Sequence, residues 1–334
     1  MAWTVAIGVD THKDLLVAVA CDQLGAQLDS CTVEPDQEGF SRLLLWAQQL
    51  GRPAFAVEGC GSYGAGLADF LAAAGIAVFE CERPRRRERR RGKSDLIDAA
   101  LAARRLVSGE GLSLPRGGGL ARERLRLLLL ERRGVVEART AALNQLHAAV
   151  LTPALPERLR RLDSRRLIEA CLRLRATTIE RTVVRRLAGR IRDLEAELAA
   201  LDGQLAELVA GRAPQLLREC GVGPVCAAQL LVSSGEPARM RSEAAFAAFA
   251  GTSPVDASSG RQRRHRLNRG GDRQLNRALH VIALNLTRYH EKTRAYYERL
   301  LAAGKTTREA RRCVKRALAR YFYRQLLALE PLTP

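Results

Sequence analysis

A chain of 334 residues is long enough for two domains, since single cores rarely grow much past about 250–300 residues. Hydrophobic residues make up 47% and aromatics only 4%, which excludes global disorder and requires a core built from Ala, Leu and Val. Lys plus Arg total 55 against 36 acids, a formal +19 that suits a polyanion, nucleic acid above all, and no basic amphipathic anchor or lipidation signal points to a membrane surface.

The first hundred residues alternate strand and helix signals. Thr4–Val9 is a short apolar run ending at Asp10, and Leu15–Cys21 and Ala26–Val33 are β-like on either side of a turn at Leu24-Gly25. Helical periodicity covers Phe40–Leu50. Ala54–Val57 reads as a further strand ending at Glu58, Gly64–Ala74 as a helix and Ile76–Cys81 as a fifth strand. Ser94 is a good N-cap for a helix running to about Val107. The order βββαβαβα is that of the RNase H-like (RuvC-like) fold, so an α/β domain of this kind is expected over residues 1–110.

Between the fifth strand and the Ser94 helix lies Arg83–Lys93, with seven arginines and one lysine against Glu88 alone. So dense a block usually contacts nucleic acid, and Arg85, Arg86, Arg87, Arg89, Arg90, Arg91 and Lys93 are candidate contacts; the bland alternative is a solvated loop. Pro115–Gly119 is a Gly-rich break, after which a helix of mostly Leu and Arg spans about Leu120–Val150 until Pro153 and Pro156. Val184, Leu187, Ile191, Leu194, Leu198, Leu201, Leu205 and Leu208 then alternate spacings of three and four. That a/d seam reads as a coiled coil, whether between subunits or within the chain, or as one face of a helical bundle. Residues 111–213 are accordingly expected to be a helical linker and oligomerisation region, and 214–334 a mostly helical third domain.

In that last part, Leu216–Leu231 reads as two short helices around Cys220–Pro224. Such a turn resembles a helix-hairpin-helix, in which the backbone at Gly221 and Gly223 meets a phosphate, although Gly-containing turns between helices are common. Ser258-Ser259-Gly260 follows, then seven arginines and His265 within Arg261–Arg277, of which Arg261, Arg263, Arg264, Arg266 and Arg269 are candidate phosphate contacts. Leu275–Leu327 is helical and basic. The eight cysteines form no CxxC pair and have no His at zinc-ligand spacing, so they are expected to be small core residues in a reducing cytosol. With no apolar run of about 18 residues and an early Asp in place of a signal-peptide core, a cytoplasmic protein is expected.

The chemistry concentrates on carboxylates. Asp10 and Glu58 close two strands that lie side by side in an RNase H-like sheet, and Asp95 and Asp98, at i and i+3, share a helix face. Four acids converging on one spot repel unless cations separate them, and hard divalent ions with oxygen ligands, Mg²⁺ or Mn²⁺, fit. Two such ions about 3.5–4 Å apart serve phosphodiester cleavage. Taken singly, each acid reads as a surface or capping residue, Asp95 most of all.

The chain resembles the DEDD transposases of insertion sequences, a group that includes Piv-type invertases. The resemblance rests on GVDTHKD (Gly8–Asp14), FAVEGCGSYG (Phe55–Gly64), GKSDLIDA (Gly92–Ala99), CGVGPVCAAQLL (Cys220–Leu231) and FAAFAGTSPVDASSGRQRRHRLNRGGDRQLNRAL (Phe246–Leu279). It implies a metal-binding tetrad of Asp10, Glu58, Asp95 and Asp98. It also implies a serine, Ser259 beside Gly260 rather than Ser258, that links covalently to DNA. A structured guide RNA from the element's flank, donor and target DNA as substrates, and dimers joining into tetramers with composite sites are further implications. Two alternatives remain open: a RuvC-type junction endonuclease, which would need no serine and no large basic C-terminal domain, and a non-catalytic nucleic-acid scaffold, which would need no tetrad.

Overall fold

Strands covered on both faces cannot alternate apolar with polar residues, so near-continuous apolar runs mark the middle of a sheet. In the computed structural model, which describes residues 3–81, 94–117, 119–257, 265–266 and 268–329, β1 (Val5–Thr11) and β2 (Leu16–Cys21) are buried at every position. β3 (Gln27–Val33) is largely exposed at one edge, and β4 (Pro53–Glu58) is buried from Ala54 onward. With β5 (Ala77–Cys81) and the two-residue β6 (Leu112–Ser113) the sheet order is β3-β2-β1-β4-β5-β6. β1, β4 and β5 are parallel, while β2, β3 and β6 run antiparallel to their neighbours.

The period-2 alternation of β1 sorts its side chains onto two layers. Val5, Ile7 and Val9 join a core with Phe40 and Leu43 of α1 (Gln37–Gln49) and Leu67 and Leu71 of α2 (Ala65–Ala73). Ala6 and Gly8 face the other way, towards α3 (Asp95–Ser108). The α3 residues Ala99, Ala100 and Ala103 pack on Val17 and Val19, and Ala102 and Leu106 on Ala54 and Ala56. Gly8 sets how close that helix comes: a Cβ there would lie 2.0 Å from the Ala99 carbonyl oxygen and 2.2 Å from the Ala103 nitrogen. α3 starts where its cap predicts, with the Ser94 hydroxyl accepting from the Ile97 N–H, and ends at Gly109 in the left-handed region. The element order β1β2β3α1β4α2β5α3 is the one read from the sequence.

The chain divides into two compact units, residues up to Leu120 with Ser234–Arg241, and Ala121–Ser233 with Ser242–Leu329. The second is almost wholly helical. α4 (Gly119–Ala149) and α6 (Ile179–Arg212) run antiparallel, bridged by Arg132–Asp202 at 2.5 Å and Arg139–Glu195 at 2.5 Å. α5 (Ser164–Leu172) packs with them, so that Leu146, Leu167, Cys171, Val184, Ala188 and Ile191 share one core. Along the a/d seam Val184, Ile191, Leu201 and Leu205 are buried and the other four positions partly so. Its first part is thus packed within the chain.

α7 (Pro214–Arg218) and α8 (Pro224–Ser234) flank the expected glycine turn. They are followed by α9 (Glu243–Phe249) and the small pair β7 (Val255–Asp256) and β8 (His265–Arg266). The basic C-terminal stretch, expected to be helical, comprises three helices: α10 (Arg273–Tyr289), α11 (Glu291–Ala302) and α12 (Thr307–Leu327). The breaks have local causes. The His290 ring caps Thr293, Gly304 takes a positive φ of 81°, and Thr306 with Glu309 closes a capping box. None of the eight cysteines is in a disulfide; Cys21, Cys60, Cys81 and Cys171 are core residues, but Cys220 is exposed.

Candidate active site

Asp10 occupies the penultimate position of β1, one residue before the strand ends. The parallel register pairs Val9 with Val57, so Asp10 and Glu58 occupy the next matched position of adjacent central strands. Alternation places Asp10 on the side of Ala6 and Gly8, and Glu58 on the side of Ala54 and Ala56, both facing α3. The helix brings Asp95 and Asp98 in its first turn. Because α3 rests directly on Gly8, its N-terminal turn is held at the end of β1 where Asp10 lies. Asp10, Glu58 and Asp98 are only 6%, 8% and 3% exposed, unusual burial for carboxylates, whereas the Asp95 side chain is half exposed.

His12, two residues beyond Asp10, joins the cluster. Its Nε2 lies 3.3 Å from an Asp10 oxygen and 3.2 Å from an Asp95 oxygen, bridging strand and helix. One ligand atom each from Asp10, His12 and Asp95 falls within 4.8 Å of the others. Burial pushes the Asp10 carboxyl above the ordinary carboxylate range; the His12 contact opposes the push, and the negative charges of Asp95 and Asp98 reinforce it. A cation among these groups would offset both desolvation and repulsion. The Thr11 hydroxyl donates to the Glu58 carbonyl at 2.8 Å, tying the two strand ends together.

Sequence reasoning singled out the four acids and missed His12. The available signal was spacing: in an extended segment, residues two apart share a face, and His12 continues the face of Asp10.

In the helical unit, Arg266 and Arg269 lie by the loops preceding α10 and border solvent-accessible hollows there. Gly221 turns with φ 77° against α10, where a Cβ would meet Asn285 Cβ at 3.1 Å and the Asn285 amide donates to the Gly221 carbonyl. A Cβ on Gly223 would meet nothing within 4 Å. Arg85, Arg86, Arg87, Arg89, Arg90, Arg91, Lys93, Ser258, Ser259, Arg261, Arg263 and Arg264 lie outside the described residues. No helix among the described residues is long and apolar enough to cross a membrane.

Comparison with known proteins adds three findings. A model described as Transposase, that of the IS110-type DEDD domain, matches residues 7–156, which contain all four acids. A second, described as Transposase IS116/IS110/IS902 family, matches residues 214–298. The chain is also 34% identical, over 131 residues, to the insertion element IS110 uncharacterized 43.6 kDa protein of Streptomyces coelicolor. That match covers 38% of this chain and 32% of the relative, about a third of its length.

Proposed function

Because the chain belongs to the IS110-type DEDD transposase family, we propose that it cleaves and rejoins DNA strands to move an insertion sequence, with the carboxylate cluster of the sheet unit as its metal-dependent centre. The observation that carries this reading is the burial of Asp10, Glu58 and Asp98 at one end of two adjacent strands and the helix laid across them. Three carboxylates rarely share such a setting without a cation. The first domain reads as RNase H-like, on its element order and sheet order.

The donor set fits a hard divalent ion: carboxylate oxygens from Asp10, Glu58, Asp95 and Asp98 suit Mg²⁺ or Mn²⁺, and an imidazole within reach at His12 is compatible with Mn²⁺. Divalent ions held there supply activation of an attacking oxygen and neutralisation of charge on the phosphate. Asp10 and Glu58, fixed on strands, set the position of the centre. Asp98 closes it from the helix, and Asp95 with His12 forms its solvent side.

Ser259 is the proposed nucleophile: its hydroxyl oxygen forms an ester bond to phosphorus as the P–O bond to a DNA oxygen breaks, and the proton given up by the serine is balanced by protonation of the departing DNA hydroxyl. This assignment rests on the family resemblance of the Ser258-Ser259-Gly260 stretch. A structured RNA from the element's flank as guide, Arg83–Lys93 and Arg261–Arg277 as phosphate contacts, and assembly into dimers and tetramers with composite sites belong to the same reading.

The test uses end-labelled DNA carrying the element's end, with protein and flank-encoded RNA in Mg²⁺. Asp10→Asn and Glu58→Gln should abolish strand cleavage while nucleic-acid binding persists. After denaturation, label should migrate with wild-type protein and with Ser258→Ala but not with Ser259→Ala. Full recombination by Asp10→Asn sinks the metal centre, and an adduct retained by Ser259→Ala moves the nucleophile elsewhere.

A further inference from the structure

A second concentration of charge lies in the helical unit, and it has the opposite sign. A cavity of about 390 Å³ is bordered by Arg266 of β8, Lys305, and Arg312, Lys315, Arg316 and Arg320 of α12, with Glu309 the acid among its lining residues. The α12 cations fall at i, i+3, i+4 and i+8, so they share one face of the helix.

Lys315 distinguishes this cavity from an ordinary basic surface. It is only 7% exposed, and its ammonium donates to the Asn276 Oδ1 at 2.6 Å. That neutral amide is its partner; among the described residues no carboxylate forms an ion pair with it. A buried ammonium is costly unless a counter-charge accompanies it, and burial, with Arg312 next, pushes the Lys315 ammonium below its ordinary range. The surroundings are held in place. Asn276 donates through Nδ2 to the Ala250 carbonyl at 2.7 Å, and Arg316 donates to the Ser253 hydroxyl at 2.7 Å. The loop carrying Ser253 packs its backbone closely on the turn before α10, since a Cβ on Gly271 would lie 2.2 Å from the Gly251 nitrogen. The nearby acids already have partners. Glu243 is bound by Arg320 and Arg324, and Glu309 caps α12 and meets Arg312 at 3.7 Å.

We propose that this cavity is a phosphate subsite, in which Lys315, with Arg312 and Arg316 beside it, receives one backbone phosphate of a nucleic-acid strand. The anion supplies the counter-charge that the buried ammonium lacks, and the preset Asn276–Lys315 pair fixes where that phosphate sits. Arginine forks and a compact ammonium on one helix face suit a tetrahedral oxyanion with several acceptor oxygens. The inference rests on the reading that the chain binds nucleic acid, and it concerns binding alone.

The experiment measures binding of a short single-stranded oligonucleotide to the full chain in EDTA, where no strand chemistry occurs, over a series of salt concentrations. Lys315→Met keeps the buried stem and removes the charge; Arg312→Gln alters a more exposed wall residue and guards against a folding defect in the first variant. Each should weaken binding about ten- to a hundredfold, as for loss of one charged hydrogen bond, and lower the salt slope by about one. A methylphosphonate oligonucleotide of the same sequence, lacking backbone charge, should bind wild type and both variants equally weakly. Unchanged affinity and slope in both variants overturns the subsite while leaving nucleic-acid binding intact. Inorganic phosphate that binds wild type but not Lys315→Met, with oligonucleotide affinity unchanged, overturns the nucleic-acid assignment in favour of a free-phosphate site. A wild-type chain that binds no oligonucleotide at all overturns both readings.

Discussion

The sheet unit gathers acids and the helical unit gathers cations, and the two use different means. Around Asp10 the neighbours are small and the backbones touch: Gly8 lies under Ala99 and Ala103, and Ala54 and Ala56 continue the layer. Position there is set by backbone on backbone, with little left to side-chain rotamers. Around Lys315 the placement depends on long side chains spanning between helices, steadied by single hydrogen bonds to Asn276 and Ser253. A site that must hold several like charges within a few ångströms benefits from the first construction. A surface that follows a flexible polyanion tolerates the second.

The sharpest way to break this contrast is at Gly8. Gly8→Ala puts a methyl where the α3 backbone already is, and rigid backbone contacts cannot relax as side chains do. A loss of about 4 kcal/mol or more in denaturant unfolding is expected. A loss below about 1 kcal/mol would mean that α3 does not rest on β1. In the helical unit the expected effects are those of side-chain packing. Leu205→Ala, at a fully buried seam position, should cost about 2–5 kcal/mol, and Leu194→Ala, at a partly buried one, clearly less. Equal costs would show that the whole seam is buried, which points to a partner subunit on the remainder.

Smaller again is Tyr321. Its hydroxyl donates to Glu219 at 2.7 Å, and that hydrogen bond first, then burial, raises its pKa to about 12. A raised folded pKa means that the contribution is fully present below the ordinary tyrosine value near 10 and is lost as pH rises through about 12. Tyr321→Phe should therefore cost about 1.5 kcal/mol at neutral pH and should shrink the loss of stability on alkaline titration. No difference between the two proteins across that window would contradict the bond. The weakest expected effect is at Arg139–Glu195, a partly exposed bridge between α4 and α6. A double-mutant cycle there should give a coupling below about 1 kcal/mol.

The same contrast governs what the sequence disclosed. Apolar runs and the Ser94 cap located the elements of the sheet unit to within a few residues, because burial on two faces leaves little choice of residue. The first strand runs one residue past Asp10, to Thr11, and the two-residue β6 was missed, since so short a strand has no periodicity. The division of the C-terminal run into three helices was legible in part: Thr306 and Glu309 are a capping box in plain view. Lys315 was not legible. As one cation in a run with Arg311, Arg312 and Arg316 it carries no mark of burial in the sequence, and its contact across to Asn276 of α10 appears only in the packed helices. His12 falls between these cases, marked by its spacing from Asp10 but silent about the turn of α3 that brings Asp95 to it.

The claim on which the rest depends is that the buried carboxylates form a divalent-cation site. Calorimetric titration of the purified chain with Mn²⁺, in the absence of nucleic acid, addresses it directly. Wild type should bind the ion and gain thermal stability with rising Mn²⁺. Asp10→Asn, folded to the same extent without metal, should lose at least tenfold in affinity and show no metal-dependent rise in melting temperature. Equal Mn²⁺ affinity in wild type and Asp10→Asn would contradict the account.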